Sequence, residues 1–255
     1  MKKKVIIVTG ASSGIGREFA KELAQKKEID EIWVIARRAE RLEELKKTIN
    51  SEIVPISLDL CSKESVELLN NMLKSEEPDV VALVNAAGYG KFGAFDEIPL
   101  DEQSDMIELN ASILMKITFI ALPFMDKGAE IYQVCSRSGF HPVPYITVYA
   151  ATKAFVLSFS RGLNRELKSR GIRSIAVCPG WVRTEFFDRA VIDKSTIVYY
   201  NNFVTASQVV TKAIKDMKKK KDISICGIST NLQVFLAKLL PHRLVMWIWC
   251  KQQKK

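Results

Sequence analysis

At 255 residues the chain is long enough to bury one large core, and its 47% hydrophobic and 26% charged content is that of an ordinary globular protein. A formal net charge of +9 brings a nucleic-acid or anionic-surface binder into view. The lysines, however, fall mainly at the two ends, on predicted helix faces and at residues 218–221, without the interleaved aromatics that base stacking requires, so no nucleic-acid partner is expected. Five scattered cysteines, Cys61, Cys135, Cys178, Cys226 and Cys250, show no C-x-x-C spacing; this argues against a disulfide framework or a zinc site and suits a reducing cytoplasm. Met1-Lys2-Lys3-Lys4 runs straight into an apolar stretch, so no signal peptide is read and a cytoplasmic location is expected.

In chain order, residues 5–8 (Val-Ile-Ile-Val) predict a short buried strand, followed by Thr9-Gly10-Ala11-Ser12-Ser13-Gly14-Ile15-Gly16 and a helical pattern through Lys26. Strand, glycine-rich turn and helix together make a phosphate cradle. Gly10 permits the tight turn, Gly14 lets backbone approach a pyrophosphate, and Gly16 lets helix and strand pack closely, with the helix N-terminus favouring negative charge. The spacing is Gly-x-x-x-Gly-x-Gly, distinct from the common Gly-x-Gly-x-x-Gly fingerprint. Residues 32–35 predict a second strand, ending at Ala36-Arg37-Arg38, and Leu42, Leu45 and Ile49 form one helical stripe.

Residues 80–84 predict a further strand that leads into Asn85-Ala86-Ala87-Gly88, and 101–125 predicts a long helix carrying Asn110. Residues 131–135 and 172–178 predict two more strands, separated by a helix over 148–170; Thr205 with Gln208 resembles a capping box that opens a last helix running into 218–221. The strands are continuous apolar runs, as strands buried on both faces are. The expected fold is therefore α/β: a doubly wound, Rossmann-like parallel sheet with helices on both faces, in one domain spanning 1–255.

Tyr149 and Lys153 lie four apart on the predicted helix and so share a face. A cation beside a phenol favours phenolate and lowers a pKa that is otherwise near 10. Ser136, at a strand end thirteen residues before Tyr149, supplies a hydroxyl that can hold a substrate oxygen near the phenol. Such a trio suits proton transfer to or from a carbonyl or alcohol oxygen.

With Thr9 to Gly16, Asp59-Leu60, Asn85 to Gly88, Asn110, Ser136, Tyr149 with Lys153, and Pro179-Gly180 with Thr184 in this order, the chain resembles the short-chain dehydrogenase/reductase family from about residue 4 to about residue 188. One departure is Ala86, where the family usually has a second Asn. The resemblance implies Tyr149 as general acid/base, Lys153 lowering its pKa and holding the nicotinamide ribose, Ser136 orienting the carbonyl, and Asn110 supporting a water relay. It further implies a dinucleotide bound by Gly10, Ser12, Ser13, Gly14, Ile15, Gly16, Asp59, Leu60, Asn85, Ala87, Gly88, Tyr149, Lys153, Pro179, Gly180, Val182 and Thr184. Asp59 is assigned to adenine, and Thr184 with the Val182 backbone to the nicotinamide carboxamide. Self-association as a homodimer or homotetramer is expected on the same ground.

The end of the second strand carries no carboxylate for a ribose 2′-hydroxyl, so NADP(H) is favoured over NAD(H), with Arg37 preferred to Arg38 for the 2′-phosphate. Residues 181–205 form the expected substrate loop. Trp181, Phe187, Tyr199 and Phe203, with His141 bordering the pocket, suit an apolar ketone or alcohol of hydroxysteroid, bile-acid or 3-oxoacyl type. The segment 230–255 is apolar but broken by Lys238, Pro241, His242 and Arg243, which excludes a spanning helix of about 20 apolar residues. It is expected to close the pocket or pack on a subunit, in preference to lying on a membrane surface. A cofactor-binding regulator without turnover and a basic anionic-surface binder are the alternatives; intact Ser136, Tyr149 and Lys153 favour the enzyme.

Overall fold

In the computed structural model, whose described residues are 2–26, 28–191, 196–200 and 202–255, seven parallel strands form one sheet in the order β3-β2-β1-β4-β5-β6-β7. The strands are β1 (Lys4–Thr9), β2 (Glu31–Ala36), β3 (Glu52–Ser57), β4 (Asp79–Asn85), β5 (Glu130–Val134), β6 (Arg173–Val177) and β7 (Ile223–Ser224). Part of the expected substrate loop, 192–195 and 201, lies outside the described residues.

Successive side chains of a strand point to opposite faces. Along β1, Ile6 and Val8 join one apolar cluster, with Phe19 and Ala20 of α1 (Gly14–Lys26) and Val209 and Ala213 of α8 (Ala206–Lys218). Val5 and Ile7 join another, with Leu69 of α3 (Ser65–Glu76) and Ile117 of α5 (Leu114–Ala121). Both faces being covered, the inner strands are apolar along most of their length, and their few polar side chains, such as Asn85, Gln133 and Ser174, are bonded within the core. The edges differ. β3 has a half-exposed pattern and contains Pro55, tolerated on an edge strand, while β7 is two residues long. Neither carries the continuous apolar run of the inner strands.

The expected long helix over 101–125 is subdivided into α4 (Leu100–Ile107), a π-helical turn (Glu108–Ile113), α5 and a short 3-10 turn (Leu122–Phe124). The run Leu100–Phe124 has the length and hydropathy to cross a membrane, yet Ile113, Ile117 and Ala121 are buried beside Ile7 and Leu83 against the sheet. The capping box at α8 is present: Thr205 Oγ1 accepts from Gln208 N at 3.2 Å, and Gln208 Oε1 accepts from Thr205 N at 2.9 Å. Two further helices, α9 (Ile228–Leu239) and α10 (His242–Gln252), end the chain beside the C-terminal ends of the strands. The strand order turns about β1, with β2 on one side and β4 on the other, so a crevice opens at the C-terminal ends of these strands, where ligands of doubly wound sheets bind.

Candidate active site

A cleft of about 1280 Å³ runs along those strand ends. At one end, Thr9 Oγ1 accepts from Ala86 N and Ala87 N at 3.1 and 3.2 Å, tying the turn after β4 to the glycine turn after β1. The glycines have a steric reason to be there. A Cβ on Gly10, whose φ is +68°, would stand 2.7 Å from Ala87 N, and one on Gly16 would stand 2.4 Å from Gly10 O. Helix α1 thus begins hard against the turn with no acidic residue in its first turn, and aims its free N–H groups and positive dipole end at the cleft. Ser12, Ser13, Gly14 and Ile15 border the same space.

Beyond β2 the walls are basic. Arg38 donates to Ser12 Oγ at 3.1 Å and pairs with Glu185 at 2.8 Å; Arg41 stands 3.9 Å from the same carboxylate. These arginines hold the Glu185 carboxyl below the usual range, the bond from Arg38 being the largest cause. Arg37 also borders the cleft and is exposed, its side chain unpaired among the described residues. Asp59 Oδ1 accepts from Cys61 N at 3.1 Å, and Leu60 is buried behind it.

At the other end, α6 (Thr147–Glu166) presents Tyr149 and Lys153 on one buried face. Lys153 Nζ donates to Val134 O at 2.9 Å and lies 5.6 Å from the Tyr149 ring centre. Ser136 Oγ, at the end of β5, donates to Ser138 Oγ and accepts from Ser138 N, both at 3.2 Å. Burial is the largest influence on Tyr149 and pushes its pKa well above the ordinary phenol value, against the pull of a hydrogen bond with Ser136. Burial also lowers the pKa of Lys153. In the chain alone burial thus moves the Tyr149 pKa in the direction opposite to the lowering expected from a neighbouring cation. Burial keeps the Tyr149 phenol protonated beside the Ser136 hydroxyl.

Asn110 sits in the π-helical turn, fully buried. Its Oδ1 accepts from Tyr89 N at 3.0 Å, and its Nδ2 donates to Tyr89 O at 2.8 Å and Thr152 Oγ1 at 3.1 Å. A Cβ on Gly88 would meet Asn110 Oδ1 at 2.7 Å and Lys153 Nζ at 3.6 Å. Asn110 thereby clamps the turn after β4 close to Lys153, with glycine the side chain that fits.

A family model described as short chain dehydrogenase matches residues 4–195. The chain is 34% identical to very-long-chain 3-oxoacyl-CoA reductase-B of Danio rerio, over 96% of this chain and 74% of that protein. Among solved structures, a short-chain dehydrogenase from Sphingobium yanoikuyae in complex with NADPH aligns with a TM-score of 0.77 at 27% identity, covering 87% of each chain. A bulky-bulky ketone specific alcohol dehydrogenase from Comamonas testosteroni aligns at 0.72 and 26% identity, covering 88% of this chain and 86% of that one. This chain belongs to the short-chain dehydrogenase family. As a member it is an oxidoreductase acting on alcohol or carbonyl groups.

Seen as a short-chain dehydrogenase cleft, the space is bordered by the expected glycine turn, Arg37, Asp59, Leu60, Ala87, Gly88, Ser136, Tyr149, Lys153, Pro179, Gly180, Val182 and Thr184. Three expected residues are not on its wall: Asn110, fully buried behind Gly88 and Tyr89, together with Asn85 and Phe203. Asn85 is 2% exposed, and its Nδ2 donates to Thr118 Oγ1 and Gln133 Oε1, each at 3.0 Å; it points into a polar network within the core instead of at a ligand. Phe203 packs on Phe187 and Tyr200 at 5.5 and 6.2 Å on the far side of the aromatic cluster. His141, Trp181, Phe187 and Tyr199 do border the cleft.

The C-terminal segment closes the cleft through Val234, Leu236, Leu240, Val245, Ile248 and Trp249. Trp249 Nε1 donates to Pro144 O at 3.0 Å, and Gln253 Oε1 accepts from Val198 N and Tyr199 N at 3.0 Å each, so α10 is pinned to both loops it covers. Trp247, two residues earlier and so on nearly the opposite side of the helix, is exposed and stacked under Lys251. Residues the motif order does not reveal include Arg38, bonded to Ser12, Phe186, 5.6 Å from the Tyr149 ring, and Arg137 on the cleft wall. The one signal available for Arg137 was its place directly after Ser136.

Proposed function

We propose that the protein is an NADP(H)-dependent reductase of a ketone carbonyl on a mainly apolar substrate, and equally the dehydrogenase of the corresponding secondary alcohol. The observation that carries this reading is the convergence of Ser136, Tyr149 and Lys153 with the glycine cradle on one cleft whose substrate end is mostly apolar and aromatic. The cleft fits a dinucleotide phosphate. The glycine-rich turn, the start of α1 and the guanidinium groups of Arg37, Arg38 and Arg41 each favour negative charge. When bound, the nicotinamide supplies the hydride for reduction or takes it up in oxidation.

The protein's own groups do the rest. Tyr149 gives its proton to the carbonyl oxygen, and Ser136 donates a hydrogen bond to the same oxygen. Lys153 uses one of its three N–H donors on Val134 O. The others remain for the nicotinamide ribose and for the phenolate left once the proton has gone. Asn110 keeps Gly88 and Tyr89 in place around this group. Phe186, Trp181, Ile248 and Trp249 exclude water from the substrate end. The relatives' named substrates, very-long-chain 3-oxoacyl-CoA and bulky ketones, support an apolar substrate here.

Cofactor choice is tested by comparing kcat/KM for NADPH and NADH. A charge-assisted hydrogen bond to the 2′-phosphate contributes about 1.5–3 kcal/mol, so NADPH is expected to be preferred about 10- to 100-fold. Arg38→Ala, which also frees Ser12, should remove most of that preference while changing NADH use little. A wild-type preference for NADH would overturn the cofactor assignment.

A further inference from the structure

Arg137 follows Ser136 directly, in the 3-10 turn (Arg137–Phe140) at the end of β5, and its side chain borders the cleft. Its surroundings are unusual for a cation. Most of its surface is covered, and burial lowers its pKa to about 10, which leaves it charged at neutral pH. One guanidinium N–H donates to Gln233 Oε1 on α9, and the guanidinium carbon stands 5.0 Å from the centre of the Trp181 ring. Among the described residues no carboxylate pairs with it, whereas Arg38 has Glu185 and Arg161 has Asp222. A guanidinium carries five N–H donors, so most of its hydrogen-bonding capacity is unspent.

Trp181 Nε1 is likewise buried and has no hydrogen-bond partner among the described residues. The Trp181 ring borders the same cleft and is stacked against the same guanidinium. Burying a cation without an anion, and an N–H without an acceptor, is unfavourable unless a ligand supplies both. The wall around them is otherwise apolar and aromatic, with Phe187 5.7 Å and Tyr200 5.0 Å from the Trp181 ring. His141, another ionisable group on this wall, has its pKa lowered by burial and by Arg137 and adds no second charge at pH 7. Arg189 lies at the rim, exposed, and Lys91 is paired with Glu102 at 3.0 Å.

We propose that Arg137, with the Trp181 indole N–H, seats a carboxylate carried by the substrate, so that the preferred substrate is an apolar oxo acid or hydroxy acid and not a neutral ketone. One fixed planar cation matches a singly charged planar carboxylate, whereas a phosphate dianion calls for more positive charge than this wall provides. Ser136 and Arg137 border the same cleft, so one bound molecule can meet both. The carboxylate fixes how the chain lies, and so which face of the carbonyl meets the hydride donor. This rests on the ketone-reductase reading for its kinetic consequence, though not for the binding itself.

Two arms test it separately. In the first, straight-chain oxo acids differing in the distance between carbonyl and carboxylate are each compared with their methyl esters under NADPH. The best acid is expected to exceed its ester about 100-fold in kcat/KM, mostly through KM. Arg137→Met should bring that ratio near one, Arg137→Lys should recover part of it, and Trp181→Phe, which keeps the ring and loses the N–H, should lower it several-fold. Ratios at or below one throughout the series in the wild type would overturn the proposal. In the second arm, decanoate and methyl decanoate are titrated into the NADP⁺-saturated protein by calorimetry. Tighter binding of decanoate, lost in Arg137→Met with the melting temperature retained, supports the seat even if no ketone is turned over, in which case only the reductase reading fails. Equal binding of the two probes, or no binding of decanoate, would remove it.

Discussion

Tyr149→Phe is expected to lower kcat for ketone reduction by about a thousandfold while leaving NADPH affinity nearly unchanged. The proton donor disappears, and general acid catalysis by a positioned group contributes about 10²- to 10⁴-fold. The ring stays. Its contact with Phe186 at 5.6 Å is between ring carbons, and Ser136 keeps its bonds with Ser138. Lys153→Met should behave differently and weaken cofactor binding as well. It strips the buried Val134 carbonyl of its donor at 2.9 Å, a loss of about 1–3 kcal/mol, and removes the cation from the cleft. Steady-state rates with NADPH and direct cofactor titration separate the two variants. Near-normal turnover by Tyr149→Phe would rule out this phenol as the donor.

Gly16→Ala is expected to lower NADPH affinity about 100-fold or more and to reduce the melting temperature. The added Cβ would stand 2.4 Å from Gly10 O, 2.8 Å from Gly10 C and 3.1 Å from Thr9 O, all backbone atoms with no flexible end to swing aside. Helix α1 must therefore move off the turn, and the phosphate cradle opens. Overpacking of this kind costs about 1–3 kcal/mol in stability, before the loss of cofactor contacts. Gly162, in α6, is the control. A Cβ there meets nothing within 4 Å, so Gly162→Ala should be neutral or stabilise by up to about 1 kcal/mol through helix propensity. Equal melting temperatures and equal cofactor titrations for the two variants would contradict the steric account of the turn.

What could be read directly from the sequence was whatever depends on local chemistry or on burial from both sides. The inner strands are apolar along most of their length because α1 and α8 cover one face and α3 and α5 the other, so their runs are visible without any coordinates. The glycine turn and the Tyr149-Lys153 spacing are legible for the same local reason. Edge strands β3 and β7 escape because a strand with one free side needs no continuous apolar run, and Pro55 argues against a strand anywhere but an edge. The π-helical turn at Asn110 is equally hidden, since side-chain periodicity does not register one widened turn.

Side-chain direction was the less legible part. Asn85 carries the right residue type at the end of β4, but strand alternation turns it into the core, where Thr118 and Gln133 satisfy its amide N–H groups. Arg37 and Arg38 are adjacent, and it is the second that meets Ser12, because it caps the start of α2 (Ala39–Lys46) beside the glycine turn. In α10, Trp249 faces the cleft and Trp247 faces outward, a distinction set by the angle at which the helix lies on the Pro144 loop. The pairing of Arg137 with Trp181 joins residues forty-four positions apart (181 minus 137) and needs the sheet to bring them together.

The most direct test of the reductase reading is to incubate the wild type with NADPH and an apolar ketone, following absorbance loss and alcohol formation together. One secondary alcohol per NADPH consumed, with both falling to background in Tyr149→Phe, is the predicted result. Binding of NADPH without alcohol formation across apolar ketones and oxo acids would contradict it and leave a cofactor-binding protein without turnover.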